Sequence, residues 1–213
     1  MIERVIMARS EKIAILDVDG TLLNWRNHFE TWALQHDLIN EPDPYDFRFS
    51  PKGGIDMVTI INIFNETFHI SRLAPEDGAV KAVRKLHEAG FTLKICSSFS
   101  SKYDSMKMRE ENLENVFGKV FAEYNFVPFI DFKHTADKLK YIEENAKYGD
   151  VHLFEDNHFL INEVMEKNNT SDGWVYCHMI PQSFNDSEIT RQLKLKGVVY
   201  GGWDFQMKEL FGE

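Results

Sequence analysis

Cysteine is scarce in this chain: Cys96 and Cys177 are the only two in 213 residues. Both sit in apolar runs that read as central strands. A disulfide framework is therefore excluded, and two reduced, buried thiols are expected. Basic charge is also short, with 24 Lys and Arg against 34 Asp and Glu and a formal net charge of -10. That balance excludes a broad basic surface for phosphate backbones, so no extended nucleic-acid surface is expected. It favours a small ligand, held with a divalent cation. No window reaches the roughly 20 consecutive apolar residues that a membrane helix needs. The opening MIERVIMARSEK mixes charge into its apolar residues and lacks the hydrophobic core of a signal peptide. These features predict a soluble, cytoplasmic protein without a membrane partner. No repeat and no low-complexity segment stands out.

What is present is a chain 43% hydrophobic and 13% aromatic, enough to bury a sizeable core. The length suits one domain, or one domain carrying a modest insertion. Residues 12–18 (KIAILDV) form a short β-branched run, the mark of a buried strand. A second such run, FTLKICSS at 91–98, comes after a helical pattern with Ala79, Val80, Val83 and Leu86 on one face and Gly90 as its stop. KVFAEY at 119–124 suits a third strand. Thr135 is placed to cap a helix whose Leu139, Ile142 and Ala146 line one face, leading into a fourth strand, VHLFEDN. Another helical stretch and a fifth strand, GWVYCHMI, complete the series. Alternation of strand and helix from Phe91 onward predicts an α/β fold with a parallel sheet.

The first strand breaks this rhythm. The segment from Leu22 to about Leu73 is too long for a loop between a strand and a helix. It has helical patches at 28–37 and 55–68 around the turn-rich NEPDPYDFRFSPKGG. We read residues 24–73 as an inserted, mostly helical cap on a core formed by 1–23 and 74–213.

In an open parallel sheet, ligands bind beyond the carboxyl ends of the strands. Three predicted strands end in polar chemistry: DVDGT after the first, Ser97 and Ser98 in the second, Glu155 and Asp156 in the fourth. Asp17 and Asp19 lie two apart, where an extended chain puts both on one side. Close carboxylates repel unless a cation or shared proton offsets the charge, which points to Mg²⁺, a hard ion with oxygen ligands. Gly20 permits a sharp turn, and Thr21 opens the segment beyond it. The hydroxyls of Ser97 and Ser98 and nearby backbone N–H groups suit a phosphate. Taken singly, each group has a plainer reading: an Asx turn, a helix cap, a solvated strand end. Their order along the chain, with each group at a strand end, makes convergence on one site the central expectation.

These residues resemble the haloacid dehalogenase (HAD) superfamily of phosphatases. Asp17, Asp19, Gly20 and Thr21 match that family's first motif, Ser97 its second, and Glu155 with Asp156 its fourth. The third motif, a lysine at the start of a helix, is best matched by Lys138, with Lys133 as the competing position. A finer resemblance is to the 5'(3')-deoxyribonucleotidase branch, carried by NWRNHFETW after the first motif, by ICSSFS, and by the ending VVYGGWDFQMKELF. The chain departs from that branch in placing Glu155 first in the acidic pair and in the longer spacing from lysine to that pair.

The resemblance implies a Rossmann-like, three-layer core with the cap inserted after the first strand. It implies Asp17 as nucleophile, forming an aspartyl phosphate, and Asp19 as acid then base. Mg²⁺ would be held by Asp17, the Asp19 backbone carbonyl and Asp156, with Glu155 as an alternate ligand. Ser97 and Lys138 would hold phosphate oxygens. Gly20, Thr21 and Ser98 belong to the same phosphate-binding set. The expected partner is a small phosphorylated substrate, a nucleoside or deoxynucleoside monophosphate first. A sugar phosphate, a nucleic-acid 3'-phosphate end, and a non-catalytic binding module are the rivals. Trp25, Phe29 and Trp32 either stack on a base or pack the cap against the core. Arg26, His28 and Arg48 are candidate polar contacts.

Overall fold

The computed structural model describes residues 11–42, 49–131, 135–167, 174–182 and 187–212. Lys133 and Arg48 lie outside the described residues. Six strands form one parallel sheet: β1 (Glu11–Leu16), β2 (Thr92–Phe99), β3 (Phe121–Pro128), β4 (Gly149–Glu155), β5 (Val175–Met179) and β6 (Val199–Tyr200). Their order across the sheet is β3-β2-β1-β4-β5-β6. Strand β1 is central and buried on both faces, which explains its unbroken apolar run. Ala14 and Leu16 point into one core cluster, Ile13 and Ile15 into the other.

Helices cover both faces, giving three layers. On one side lie α3 (Ala79–Glu88), α4 (Tyr103–Phe117) and α8 (Trp203–Phe211); on the other, α5 (Ala136–Ala146), α6 (His158–Lys167) and α7 (Ser187–Leu195). Helix α3 buries Ala79, Ala82, Val83 and Leu86, an i, i+3, i+4, i+7 stripe. It stops where Gly90 takes a left-handed φ of 82°. Gly90 N–H then reaches the His87 carbonyl and Phe91 N–H reaches that of Leu86, satisfying carbonyls that the helix end would strand. Thr135 occupies the cap position of α5, yet its hydroxyl donates to Glu163 on α6 at 2.6 Å rather than capping. It ties two helices together instead.

Between β1 and α3 run α1 (Trp25–Gln35), α2 (Met57–Asn65) and a 3₁₀ turn (Phe68–Arg72). This insert leaves and returns at one point: Leu23 bridges to Pro75, and Asn24 N–H donates to the Ala74 carbonyl. Its interior is aromatic. Phe29 is fully buried and stacks on Trp25 with ring centroids 4.6 Å apart; Phe64 and Phe49 meet it edge-on.

Both cysteines are free and buried, and burial pushes each thiol up to about 12. Among the described residues, no helix is long and apolar enough to cross a membrane.

A polar device crosses the β4–β5–β6 side of the sheet. Gln206 Nε2 donates to the carbonyls of Met179, Val199 and Gly201, so its Oε1 must face His178 Nδ1 at 2.9 Å. An amide oxygen only accepts, so His178 Nδ1 carries the proton and Nε2 is the lone pair. His152 Nδ1 therefore donates to it, at 2.9 Å. Both rings are held neutral. Burial pushes His178 down to about 4, against the Gln206 hydrogen bond; burial and the charge of Lys12 do the same to His152. Both values lie below the unfolded value near 6.5, so this stabilisation is complete above about pH 6.5. It is lost as pH falls toward about 4. Replacing His178 with Asn should flatten that loss, by an amount on the order of 3 kcal/mol at its greatest. Thermal melts of the two proteins across pH 4–7 measure the difference.

Candidate active site

Parallel register assembles the site. Leu16 pairs with Phe154, and Asp17 N–H continues the ladder by donating to the Phe154 carbonyl at 3.0 Å. Asp17 is thereby set beside Glu155 across the β1–β4 boundary, where the strand order reverses and an open parallel sheet forms its crevice. Lys138, in the first turn of α5, reaches between them. Its Nζ donates to Asp17 Oδ1 at 2.7 Å and to Glu155 Oε2 at 2.6 Å, all three side chains being buried. Burial alone would lower the lysine's pKa, but the two carboxylates hold it above the ordinary range. The other Glu155 oxygen accepts from Asn157 N–H at 3.1 Å.

The turn after Asp17 is tightly folded. The Val18 carbonyl accepts from the backbone of Thr21, Leu22 and Leu23, and Gly20 N–H donates to the Leu23 carbonyl. Gly20 is required twice over. Its φ is +81°, and a Cβ there would lie 2.4 Å from Asp156 Oδ2. Two distant side chains fix the turn from outside: Gln182 donates to the Gly20 carbonyl, and the Trp203 indole donates to that of Thr21 at 2.8 Å.

Asp19 turns away from Lys138 toward α4. Arg109 donates from one terminal nitrogen to Oδ1 at 2.6 Å and from the other to Oδ2 at 3.3 Å. The arginine is 1% exposed and lies over the Phe99 ring, 4.6 Å from its centroid. Burial, opposed by Arg109 and reinforced by Asp17, raises Asp19 to about 6. Arg109 escapes a reading of the sequence because its neighbours, MKMREENLEN, look like a solvated helix face. One signal is present: Ser105, Arg109 and Asn112 fall at i, i+4 and i+7, and all three are buried.

Asp17, Glu155 and Asp156 offer oxygens within 4.8 Å of one another. Burial first, then the neighbouring carboxylates, raise Glu155 to about 7 and Asp156 well above the usual range. With Asp19, four carboxylates gather at this edge among the described residues, met there by Lys138 and Arg109. This donor set fits a hard divalent cation, whose charge offsets their repulsion. The Asp19 carboxylate is outside the cluster, engaged by Arg109.

A cavity of about 160 Å³ opens over these groups. It is roughly ten times the space a single water needs on that measure. Its floor is Asp17, Asp19, Gly20, Ser97, Ser98, Lys138 and Asp156; its walls include Trp25, Phe49, Phe129 and Phe159. Of the expected substrate contacts, Thr21, His28, Phe29 and Trp32 do not line it. Phe29 is fully buried and stacks on Trp25, and of the two rings Trp25 is the one that lines the cavity. Thr21 is fully buried with its backbone carbonyl held by Trp203. Arg26 lines the cavity, whereas His28 accepts from Ala74 N–H at 3.2 Å where the insert rejoins the core. Ser97 and Ser98 lie within β2, which runs on to Phe99.

No protein-family model matches this chain, and no curated protein matches it in sequence. Solved structures do match it in fold. A HAD family hydrolase from Deinococcus radiodurans R1, with bound phosphate and sodium, is 12% identical over 95% of this chain and 96% of its own, with a TM-score of 0.52. A predicted phosphoglycolate phosphatase from Haemophilus somnus 129pt is 11% identical over 96% and 99%, at 0.53. CbbY from Rhodobacter sphaeroides, in complex with phosphate, is 13% identical over 94% and 96%, at 0.52. The sheet order, the acidic edge of β1 and β4, and these likenesses agree: this chain has the fold of the HAD-type hydrolases.

Proposed function

We propose that this chain is a Mg²⁺-dependent phosphomonoester hydrolase that works through an aspartyl phosphate and acts on a nucleoside or deoxynucleoside monophosphate. The observation that carries the reading is the pairing of Asp17 with Lys138 at the floor of an aromatic-walled cavity. Two carboxylates sit two residues apart there, with different partners and different tasks.

The Asp17 carboxylate attacks phosphorus, and the ester oxygen leaves. Lys138 and Ser97 hold the phosphoryl oxygens as negative charge redistributes. Asp19, raised to about 6, donates a proton to the departing oxygen and then accepts one from the water that hydrolyses the acyl phosphate. Arg109 keeps that carboxylate aimed. Asp17 and Asp156, with Glu155 as alternate, would hold Mg²⁺, which supplies charge neutralisation beside the phosphate. Residues 24–73 act as the cap, and Trp25 and Phe49 present its aromatic wall to a planar base.

Three outcomes test this reading. Asp17→Asn should keep its fold and lose phosphate release, measured over nucleoside monophosphates, sugar phosphates and 3'-phosphorylated oligonucleotides. Wild-type-like turnover in that variant sinks the mechanism, sugar phosphates alone as substrates would move the assignment, and silence of the wild type across the panel favours a binding module. Mg²⁺ should raise the melting temperature of the wild type. Asp156→Asn should melt higher than wild type without metal, because one repelling carboxylate is gone, and should lose most of the Mg²⁺ response. Arg109→Met strands the Asp19 charge. Asp19 has a side chain 20% exposed, so the cost should fall at the low end for a broken buried pair, about 3 kcal/mol by denaturant unfolding. Adding Asp19→Asn should restore much of it.

A further inference from the structure

Asn65, the last residue of α2, is 2% exposed yet lines the cavity. A buried amide in an aromatic cluster is costly unless its polar atoms are engaged. Half of it is engaged: Asn65 Oδ1 accepts from Trp25 Nε1 at 2.9 Å. The two ends of an asparagine amide are usually assigned by inference, but here chemistry decides. An indole N–H only donates, so the amide must present its oxygen to Trp25. The nitrogen is therefore forced to the opposite side. Among the described residues no acceptor takes its two hydrogens, and it is not sealed from solvent. The open space beside Asn65 is the cavity.

We propose that Asn65 is a specificity-determining residue whose Nδ2 donates to an acceptor on the substrate's leaving group. The class it selects is a phosphomonoester whose alcohol carries a planar ring with a carbonyl oxygen or ring nitrogen. The proposal rests on the phosphatase reading above and deepens it. Three features line this one cavity. Trp25 and Phe49 give flat apolar walls that suit a ring. Trp25 locks the amide so that only a donor is offered. Lys138 and Ser97 line the same cavity and suit the phosphate. A ligand that fills the walls but brings no acceptor leaves Nδ2 dehydrated and unpaired, which is the strong form of discrimination.

The test compares uridine 5'-monophosphate, whose ring has two carbonyl oxygens, with benzyl phosphate, whose ring has no acceptor. The readout is the ratio of the two kcat/KM values. Asn65→Asp retains an acceptor for the Trp25 indole but replaces the donor with a carboxylate. It should lower the ratio at least tenfold, mainly through KM for the nucleotide. Trp25→Phe removes the indole N–H while keeping an aromatic ring, so the amide is free to turn its oxygen to the cavity. It should lower the ratio in the same direction by a smaller factor. An unchanged ratio in both variants overturns the proposal, as does a wild type that prefers benzyl phosphate. Should the wild type hydrolyse neither compound, the phosphatase reading fails by itself. Equilibrium titration of both compounds against wild type and Asn65→Asp, monitored by tryptophan fluorescence, then decides the donor role. Loss of affinity confined to the nucleotide upholds it, and equal affinities overturn it.

Discussion

The register of β1 on β4 brings carboxylates together that would otherwise stay apart. With Leu16 opposite Phe154, the next residue on each strand is an acid, and the two face one crevice. A protein can hold such a pair at a dry sheet edge only by answering the charge. Lys138 does so by touching both acids at once, and Arg109 answers the third acid from the opposite face of the sheet. Asp156 adds a fourth carboxylate to this edge, beside Lys138 and Arg109 among the described residues. That negative charge is the physical reason the site suits a hard cation, and the cation in turn suits a phosphate.

The insert completes the arrangement from above. Its aromatic residues divide into those that hold it together and those that meet the cavity, and the division depends on geometry rather than residue type. Phe29 and Phe64 are wholly enclosed, while Trp25 stacks on Phe29 and still lines the cavity. The same tryptophan's indole locks Asn65. The ring that packs the insert therefore also sets which end of a buried amide is left toward the cavity.

The core is readable from sequence because its signals are local. A β-branched run, a glycine stop after Ala79–Glu88, and DVDGT at a strand end each arise within a few residues, and alternation of strand and helix then implies the parallel sheet. Asp17, Asp19, Glu155 and Asp156 can be placed at one edge on that basis. Arg109 cannot. Its burial is decided by a carboxylate 90 positions earlier in the chain and by the Phe99 ring beneath it, and neither leaves a mark on the local pattern. Asn65 is hidden for a related reason: a polar residue at a helix end reads as an ordinary terminus until its indole partner, 40 residues away, is seen. Phe29 misleads in the other direction, because helical spacing identifies a buried stripe without telling which ring of a stacked pair stands in front.

Trp203 donates to the carbonyl of Thr21, so one of the last helices in the chain holds one of its first turns. Synthesis proceeds from the N-terminus, so the DVDGT segment leaves the ribosome long before its anchor exists. Its strand must also wait for β4, since β1 has no partner on that side until residue 149. A nascent chain therefore carries its acidic residues without the geometry that gives them purpose. The acidic turn is thus held in place by an element 182 residues further along the chain.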